Sequence, residues 1–316
     1  MSIENGVVST SLMWTPATSG STSNNSGISL NYTIFAHRTR PNLGVVRLDV
    51  GGLSSASNVT VTDVLDGAGA WRTTSVGKGI LPNSTNSIFS AVQPNGISNV
   101  TAFEISHLDF MTPSSGKASN SSGCFAGMSQ NASTASQCYT VKPSKGTFTV
   151  VKYVGIASSD AFKGTEMNTA LKATTDATSQ GYDAVLKEHT AAWAALWAES
   201  DIIIPGDSSE LQELQLVTRA SLFHLLSNVR QGSEPTGLGD NSIAPAGLTS
   251  DSYAGQIFWD ADIWMFPSLM SLFPTYAESI TNFRFRQLGA AEENVKMFNR
   301  TGAIYPWTGA RFGNCT

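Results

Sequence analysis

The chain has 316 residues, a formal net charge of −5 and only 14% charged residues. The length allows two domains at the usual figure of about 150 residues each. The negative charge, without a basic stripe, gives no indication of a nucleic-acid partner, and no apolar run reaches the length of about 18 residues that a membrane-spanning helix needs. The first thirty residues also lack the basic-then-apolar pattern of a signal peptide.

Residues 1–157 are predicted to form strands. Residues 45–50, 59–62 and 147–154 are rich in β-branched side chains and partly alternate between apolar and polar. Turn-forming sequences separate such segments at positions 41–42, 66–67 and 94–96. This pattern favours an antiparallel β-sandwich.

Residues 113–146 have few aliphatic side chains and many Ser, Gly and Asn residues, so we expect a long solvated loop there. Cys124 and Cys138 flank a short part of it, which predicts a disulfide worth about 3 kcal/mol in the chain-entropy picture. Cys315 is left over. An odd cysteine suggests a missing partner, for which the simplest place is beyond the end of this chain.

Acceptor sequences for N-glycosylation, Asn-X-Ser/Thr, are frequent. A chain rich in Asn, Ser and Thr produces several of these by chance, yet the set favours a secretory-pathway protein whose sugars replace surface charge. The candidate residues are Asn24, Asn31, Asn58, Asn83, Asn99, Asn120, Asn131, Asn299 and Asn314.

The hydrophobic period changes from strand-like to helical near Asp160. One apolar stripe comprises Tyr182, Val185, Leu186, His189, Trp193, Leu196 and Trp197, and a second comprises Leu211, Leu214, Val217, Ser221 and Leu225. His189 and His224 lie on these stripes, which predicts core packing rather than metal binding. Ser208 or Ser209 is expected to cap the second helix. No cluster with metal-ligand spacing and no phosphate-binding loop is found, so neither a metal nor a cofactor is expected.

The segment 253–267 carries most of the functional information. Trp259 stands directly beside Asp260, and a second carboxylate and indole, Asp262 and Trp264, follow. An indole packs on the apolar face of a sugar ring, and a carboxylate accepts hydrogen bonds from its hydroxyls. Two structural alternatives remain open: the aromatic run packs in the core, or the carboxylates cap a helix that starts near Ala261.

A second motif, Gly-Ala-Ile-Tyr-Pro-Trp at residues 302–307, follows about forty residues later. Together the two motifs resemble glycoside hydrolase family 65, and within it most closely the fungal acid trehalases. The resemblance implies an α+β multidomain protein. Its parts are an antiparallel β-sandwich (1–157, N-terminally incomplete), a helical linker (158–207) and the first part of an (α/α)6 catalytic barrel (208–316, C-terminally incomplete).

The resemblance also implies which residues bind the substrate. Trp259 and Asp260 match the Trp-Asp pair that holds the non-reducing glucosyl unit, and the weaker candidates are Asp262, Tyr305, Trp307 and Arg311. Gln256 stands where many phosphorylases of the family have His, which slightly favours the trehalase branch. Arg284 and Arg286 are expected to pair with acidic neighbours.

The implied activity is hydrolysis of α,α-trehalose to glucose with inversion, with that disaccharide as the expected substrate. The family's general acid is a Glu well after the Tyr-Pro-Trp motif, so it is expected beyond Thr316, and this chain alone is expected to be inactive. Glu278, Glu292 and Glu293 are read as a solvated helix face. The alternatives are a disaccharide phosphorylase and a non-catalytic carbohydrate-binding remnant. The acceptor sequences favour a secreted, cell-wall or vacuolar location.

Overall fold

The computed structural model describes residues 1–15, 27–54, 58–67, 70, 72–82, 84, 86–111, 118–119, 132–232, 239–244 and 256–309. The chain divides into two compact units, Met1–Ala191 and Ala192–Thr316. The division falls inside one helix, which spans Tyr182–Glu199.

The first unit contains two antiparallel sheets. The larger has the strand order β1-β2-β3-β10-β7-β6-β5, and the smaller has the order β4-β9-β8. The strands are β1 (Val8–Trp14), β2 (Ile28–Ala36), β3 (Leu43–Gly51), β4 (Val59–Leu65), β5 (Thr73–Ile80), β6 (Ser87–Pro94), β7 (Ala102–Phe110), β8 (Ala118–Ser119), β9 (Ala135–Val141) and β10 (Phe148–Ser158).

The two sheets enclose an apolar core, which confirms the predicted sandwich. Val50, Leu108 and Phe148 of the large sheet pack against Tyr139 and Val141 of the small one. All five side chains are buried. Alternate residues of each strand point to opposite faces, so the β-branched and aromatic residues of one face collect between the layers.

Strand β9 corrects the prediction of a solvated loop over residues 113–146. Residues 135–141 pair along their whole length with β4, from Val59↔Val141 to Leu65↔Ala135. Gln137 and Tyr139 are buried there. Low aliphatic content suggested solvent exposure, but alternating burial of Ala, Gln, Tyr and Val between two sheets is enough to hold a strand.

Two helices, α1 (Glu166–Gln180) and α2 (Tyr182–Glu199), follow the sandwich. In the first unit, Tyr182 and Val185 pack with Phe35, Val45 and Tyr153 of the large sheet. This confirms the N-terminal half of the first predicted stripe. Gly155 of β10 permits the close approach of α1, because a Cβ there would lie 2.0 Å from the Ala170 carbonyl oxygen.

Two histidines are buried at this sheet–helix interface, as predicted for His189. The Nδ1 of His189 accepts from the Arg38 amide at 3.1 Å, and its Nε2 donates to the Gly6 carbonyl at 3.1 Å. His37 donates to the Val185 carbonyl at 3.2 Å. Burial lowers the pKa of both imidazoles, that of His37 to about 4. Both residues therefore belong to the neutral, hydrogen-bonded core.

The second unit is mainly helical. Its elements are α3 (Ser209–Asn228), β11 (Ile257–Phe258), a π-helical turn (Ala261–Met265), α4 (Phe266–Leu272), α5 (Pro274–Arg286), α6 (Leu288–Lys296) and β12 (Thr308–Gly309). Ser208 caps α3, as expected, by accepting from the Leu211 amide at 3.4 Å. Across the described parts of both units, no helix combines the length and apolarity needed to cross a bilayer.

Helix α3 corrects the second predicted stripe. Leu214, Val217 and Ser221 are exposed, and Leu222, Phe223 and Leu226 are buried instead. His224 is also exposed, so its predicted core position is wrong. The apolar residues of α3 occur on more than one face, so their spacing does not define which face packs. The observed face includes Phe223, whose ring centroid lies 4.7 Å from that of Trp193.

The glutamates read as a solvated face are exposed. Glu278 lies on α5, and Glu292 and Glu293 lie on α6. The structure divides the single helix expected after residue 274 into these two helices. The break is at Gln287, which has φ −96° and ψ 5°.

Candidate functional site

A short antiparallel ladder brings the two sequence motifs together. Ile257 pairs with Gly309 and Phe258 with Thr308, although about fifty residues separate them along the chain. As a result, the indole rings of Trp259 and Trp307 lie with their centroids 5.0 Å apart at an angle of 46°. The two motifs therefore form one surface, which we call the tryptophan corner.

The tryptophan corner is open to solvent. Trp259 is 44% exposed and Trp307 is 63% exposed, and Trp264 and Tyr305 are exposed as well. These exposures oppose the alternative in which the aromatic run is a packed core. A pair of tilted indoles presents apolar faces and ring N–H donors together, which suits a ring with C–H faces and hydroxyl groups.

Asp260 lies at the entry to the π-helical turn. Its backbone is already helical, with φ −55° and ψ −33°, and its side chain makes no capping hydrogen bond. The capping role that sequence alone left open is therefore not observed. Single π-helical turns occur frequently at functional sites. The half-buried carboxylate stands one residue after Trp259, where it can accept hydrogen bonds from a ligand.

Asp262 is paired with Arg284. The guanidinium Nε donates to Oδ1 at 3.2 Å and to Oδ2 at 3.0 Å, and Nη2 donates to Oδ2 at 2.7 Å. Nη2 also donates to the Phe258 carbonyl at 3.0 Å. Arg284 thus connects α5 to the π-helical turn and to β11, and it donates hydrogen bonds to both carboxylate oxygens of Asp262. The expected pairing of Arg284 with an acidic neighbour is confirmed.

Arg284 also contacts the second motif. Its guanidinium carbon lies 6.0 Å from the ring centroid of Tyr305, within the range of a cation–π contact. A Cβ at Gly309 would lie 3.2 Å from Nη1 of Arg284, so the missing side chain there leaves room for the guanidinium. One arginine therefore contacts both halves of the tryptophan corner.

The loop that carries Tyr305 and Trp307 is fixed to α6. The Ile304 amide donates to the Ala291 carbonyl at 2.9 Å, and Nδ2 of Asn294 donates to the Ile304 carbonyl at 3.0 Å. Asn294 is buried, so this bond is protected from water. The backbone of the loop that carries the two exposed aromatic rings is thus held by one main-chain and one side-chain hydrogen bond.

The sequence pointed to the tryptophans and Asp260 but missed the role of Arg284 in joining the two motifs. The available signal was an arginine in a helix between the two aromatic motifs. Arg286 pairs with Asp240, as expected for an acidic neighbour. Arg311 lies outside the described residues. Gln256 is exposed at the start of β11.

The remaining candidates lie elsewhere. Cys138 is disulfide-bonded, while Cys124 and Cys315 lie outside the described residues, so the pairing stays a prediction. Of the acceptor asparagines, Asn31, Asn58, Asn99 and Asn299 are described and exposed. The other five, Asn24, Asn83, Asn120, Asn131 and Asn314, lie outside the described part. Within that part, no cluster of His, Cys, Asp or Glu has the arrangement of a metal site.

Comparison with protein families gives two matches. Residues 1–196 match the model "Glycosyl hydrolase family 65, N-terminal domain", and residues 219–316 match "Glycosyl hydrolase family 65 central catalytic domain". The second match contains the whole tryptophan corner. The two matches and the two compact units agree that the sandwich and the site-bearing helices are separate parts of the chain.

Two curated relatives match along the entire chain. The cell wall acid trehalase of Arthroderma benhamiae is 33% identical over 343 residues, which cover 100% of this chain and 31% of that protein. The periplasmic acid trehalase of Saccharomyces cerevisiae is 33% identical over 330 residues, with 100% and 26% covered. The chain therefore spans about a third or less of the length of these relatives.

A solved structure supports the fold. A human-microbiome protein provisionally named a kojibiose phosphorylase superposes with a TM-score of 0.75 at 18% identity, covering 99% of this chain and 38% of that one. At this identity the likeness concerns the fold alone. It agrees with a sandwich followed by part of a helical barrel.

Proposed function

Because the chain belongs to glycosyl hydrolase family 65, we propose that its protein hydrolyses α,α-trehalose to glucose with inversion, and that the tryptophan corner holds one glucosyl unit. The observation that supports this most directly is the β11–β12 ladder, which places Trp259 and Asp260 beside Trp307. The acid trehalase relatives, which match along the whole of this chain, favour trehalose as the disaccharide.

In this proposal the side chains have separate roles. The Trp259 and Trp307 rings pack on the apolar face of the sugar, which excludes water from one side. Asp260 accepts hydrogen bonds from two sugar hydroxyls, and these bonds strengthen as the ring gains positive charge near the transition state. Asp262 acts indirectly, because Arg284 already binds both of its oxygens.

Hydrolysis with inversion further requires one carboxylic acid to protonate the leaving oxygen and one carboxylate to activate water, about 6.5–9.5 Å apart. The described glutamates of α5 and α6 are exposed helix residues. We propose that this chain supplies the binding part of the site and that the general acid comes from the later barrel, as the family resemblance implies.

We propose the same division for the domains: a sandwich over 1–157, linker helices over 158–207 and barrel helices from 208 onward. We also propose a secreted, cell-wall or vacuolar location, which the names of the acid trehalase relatives and the acceptor sequences support.

The test is Asp260→Asn in the protein as the cell makes it. Asn keeps the shape of Asp but removes the charge and converts one acceptor into a donor. We expect kcat/KM on trehalose to fall by the equivalent of about 2–4 kcal/mol, as for loss of one key polar contact. That is about 30- to 1,000-fold. The free energy of unfolding should change little, because the carboxylate makes no capping bond.

Asp176→Asn is the matched control, since it removes one exposed carboxylate, which pairs with Lys172 on α1. It should leave kcat/KM unchanged. Near-wild-type activity of Asp260→Asn would refute the placement of the glucosyl unit. Activity on another disaccharide but not on trehalose would refute the substrate while leaving the site intact.

A further inference from the structure

The first unit carries an apolar groove that the proposed function does not use. It has a volume of about 700 Å³ and lies where the edge of the large sheet meets β4. Its lining includes Trp14, Leu30, Tyr32, Val61 and Phe148, and the described lining residues include no charged side chain. A neutral groove of this kind suits an uncharged, partly apolar ligand.

Trp14 is the most exposed aromatic side chain of the groove. It ends β1, the edge strand of the large sheet, and is 54% exposed. It pairs with Ile28, while Leu12 two residues earlier pairs with Leu30, so Leu12, Trp14, Ile28 and Leu30 share one face. Exposed apolar edge strands promote pairing with other chains unless something covers them.

An acceptor sequence for N-glycosylation opens into the same groove. Asn58 lines it, is exposed and immediately precedes β4. The hydroxyl residue of the same Asn-Val-Thr sequence, Thr60, also lines it, as does Thr62. A sugar attached to Asn58 would therefore begin at the groove, whose described lining also includes the aromatic residues Trp14 and Tyr32.

We propose that Asn58 carries an N-linked glycan whose first sugar rings lie in this groove against Trp14 and Tyr32. The C–H faces of the proximal sugars pack on the aromatic rings. The covalent link keeps the sugar at high local concentration, so weak contacts are sufficient. The glycan covers the apolar edge of the sandwich. This inference is independent of the proposed activity.

The modification itself is a group transfer. The Asn58 side-chain nitrogen forms a bond to C1 of an oligosaccharide carried on a lipid diphosphate, and the C1–O bond to the diphosphate breaks. The lipid diphosphate leaves with the electron pair, and the amide loses one proton. A eukaryotic secretory host supplies this donor and the transferase.

The chain contains a matched control for this site. Asn99-Val100-Thr101 has the same three residue types as the Asn58 sequence, and Asn99 is exposed between β6 and β7. Asn99 is not among the residues that line the groove. Substitution at the two sites thus separates the effect of a glycan in the groove from the effect of losing any glycan.

The experiment uses the secreted protein from a eukaryotic host. Peptide mapping after enzymatic deglycosylation in heavy-oxygen water measures occupancy at Asn58. Acrylamide quenching of tryptophan fluorescence, with Trp14→Phe to assign the signal, then measures the accessibility of Trp14. We expect Asn58 to be occupied, and accessibility of Trp14 to rise about twofold in Asn58→Gln. It should remain unchanged in Asn99→Gln.

Glycan trimming adds a second arm. An endoglycosidase that leaves one sugar on each asparagine should preserve most of the protection of Trp14, because the proximal ring makes the contact. Complete removal should abolish it. An unoccupied Asn58, or equal quenching in wild type and Asn58→Gln, would overturn the proposal. Protection of Trp14 by added free chitobiose in the glycosylated wild type would also overturn it, since the groove would then be open to external saccharides.

Discussion

Arg284 is expected to determine whether the tryptophan corner forms. Replacing it by Met keeps most of the apolar stem but removes the three hydrogen bonds to Asp262 and the bond to the Phe258 carbonyl. The change leaves a carboxylate without its partner and frees β11 from α5. The predicted consequence is a loss of stability in the second unit together with loss of the fixed position of Trp259.

The magnitude follows from burial. The Arg284 side chain is 13% exposed and that of Asp262 is 33% exposed. Removing one partner of a fully buried pair costs about 3–5 kcal/mol, whereas an exposed pair contributes about 0–1 kcal/mol. The intermediate exposure of Asp262 lets water solvate the abandoned carboxylate, so we expect a cost of about 2–3 kcal/mol.

The assay is urea unfolding, together with kcat/KM on trehalose in the active protein. Lys296→Met is the control: its partner is Glu293, and the two side chains are 66% and 65% exposed. It should cost less than about 1 kcal/mol and leave activity unchanged. Arg284→Lys should fall between wild type and Met, since it keeps the charge but loses the bidentate geometry. Equal effects of Arg284→Met and Lys296→Met would refute the reasoning.

Three further predictions concern the first unit and the helix α6. Burial lowers the pKa of His37 from 6.5 to about 4, so the unfolded chain binds a proton at this imidazole more tightly than the folded chain does. The free energy of unfolding is therefore retained above pH 6.5 and falls as the pH is lowered from 6.5 toward 4. Between pH 7 and 4.5 the loss is about 2–3 kcal/mol. Urea unfolding at both pH values should show a smaller loss in His37→Gln, and an unchanged loss would contradict the assignment. Gly155→Ala should destabilise the protein by about 1–3 kcal/mol or more, because the new Cβ would lie 2.0 Å from a carbonyl oxygen of α1. Gly289→Ala is the control: its Cβ would point into open space, so it should be neutral or stabilising in the same thermal-melt comparison. Non-reducing peptide mapping should join Cys138 to Cys124, and a peptide that joins Cys138 to the third cysteine would disprove this pairing.

Local signals in the sequence were sufficient for much of the architecture. Strands β3 and β10 follow from the partly alternating β-branched residues over 45–50 and 147–154, because one face of each strand must be buried. The stripe of α2 likewise predicted Tyr182, Val185 and Trp193 as core, and all three are buried. In such segments each local preference agrees with the packing that the fold requires.

The sequence was insufficient where burial depends on distant partners. Strand β9 is polar in composition and becomes a strand because β4 pairs with it. The packed face of α3 could not be chosen from its spacing, because apolar residues occur on more than one face and the partner ring of Trp193 selects Phe223. These outcomes depend on which surface lies opposite, which is not a local property.

The candidate functional site was likewise predicted from the sequence only in part. The aromatic–carboxylate motif identified Trp259 and Asp260 from sequence, because that chemistry is encoded by adjacent residues. Only the tertiary structure placed Trp307 beside Trp259, through a ladder of two residues per strand, and assigned Asp262 to Arg284. A ladder of two residues per strand is too short to produce an alternating pattern in the sequence. The partner of an ion pair is decided by distances in the folded structure, and the sequence does not give those distances.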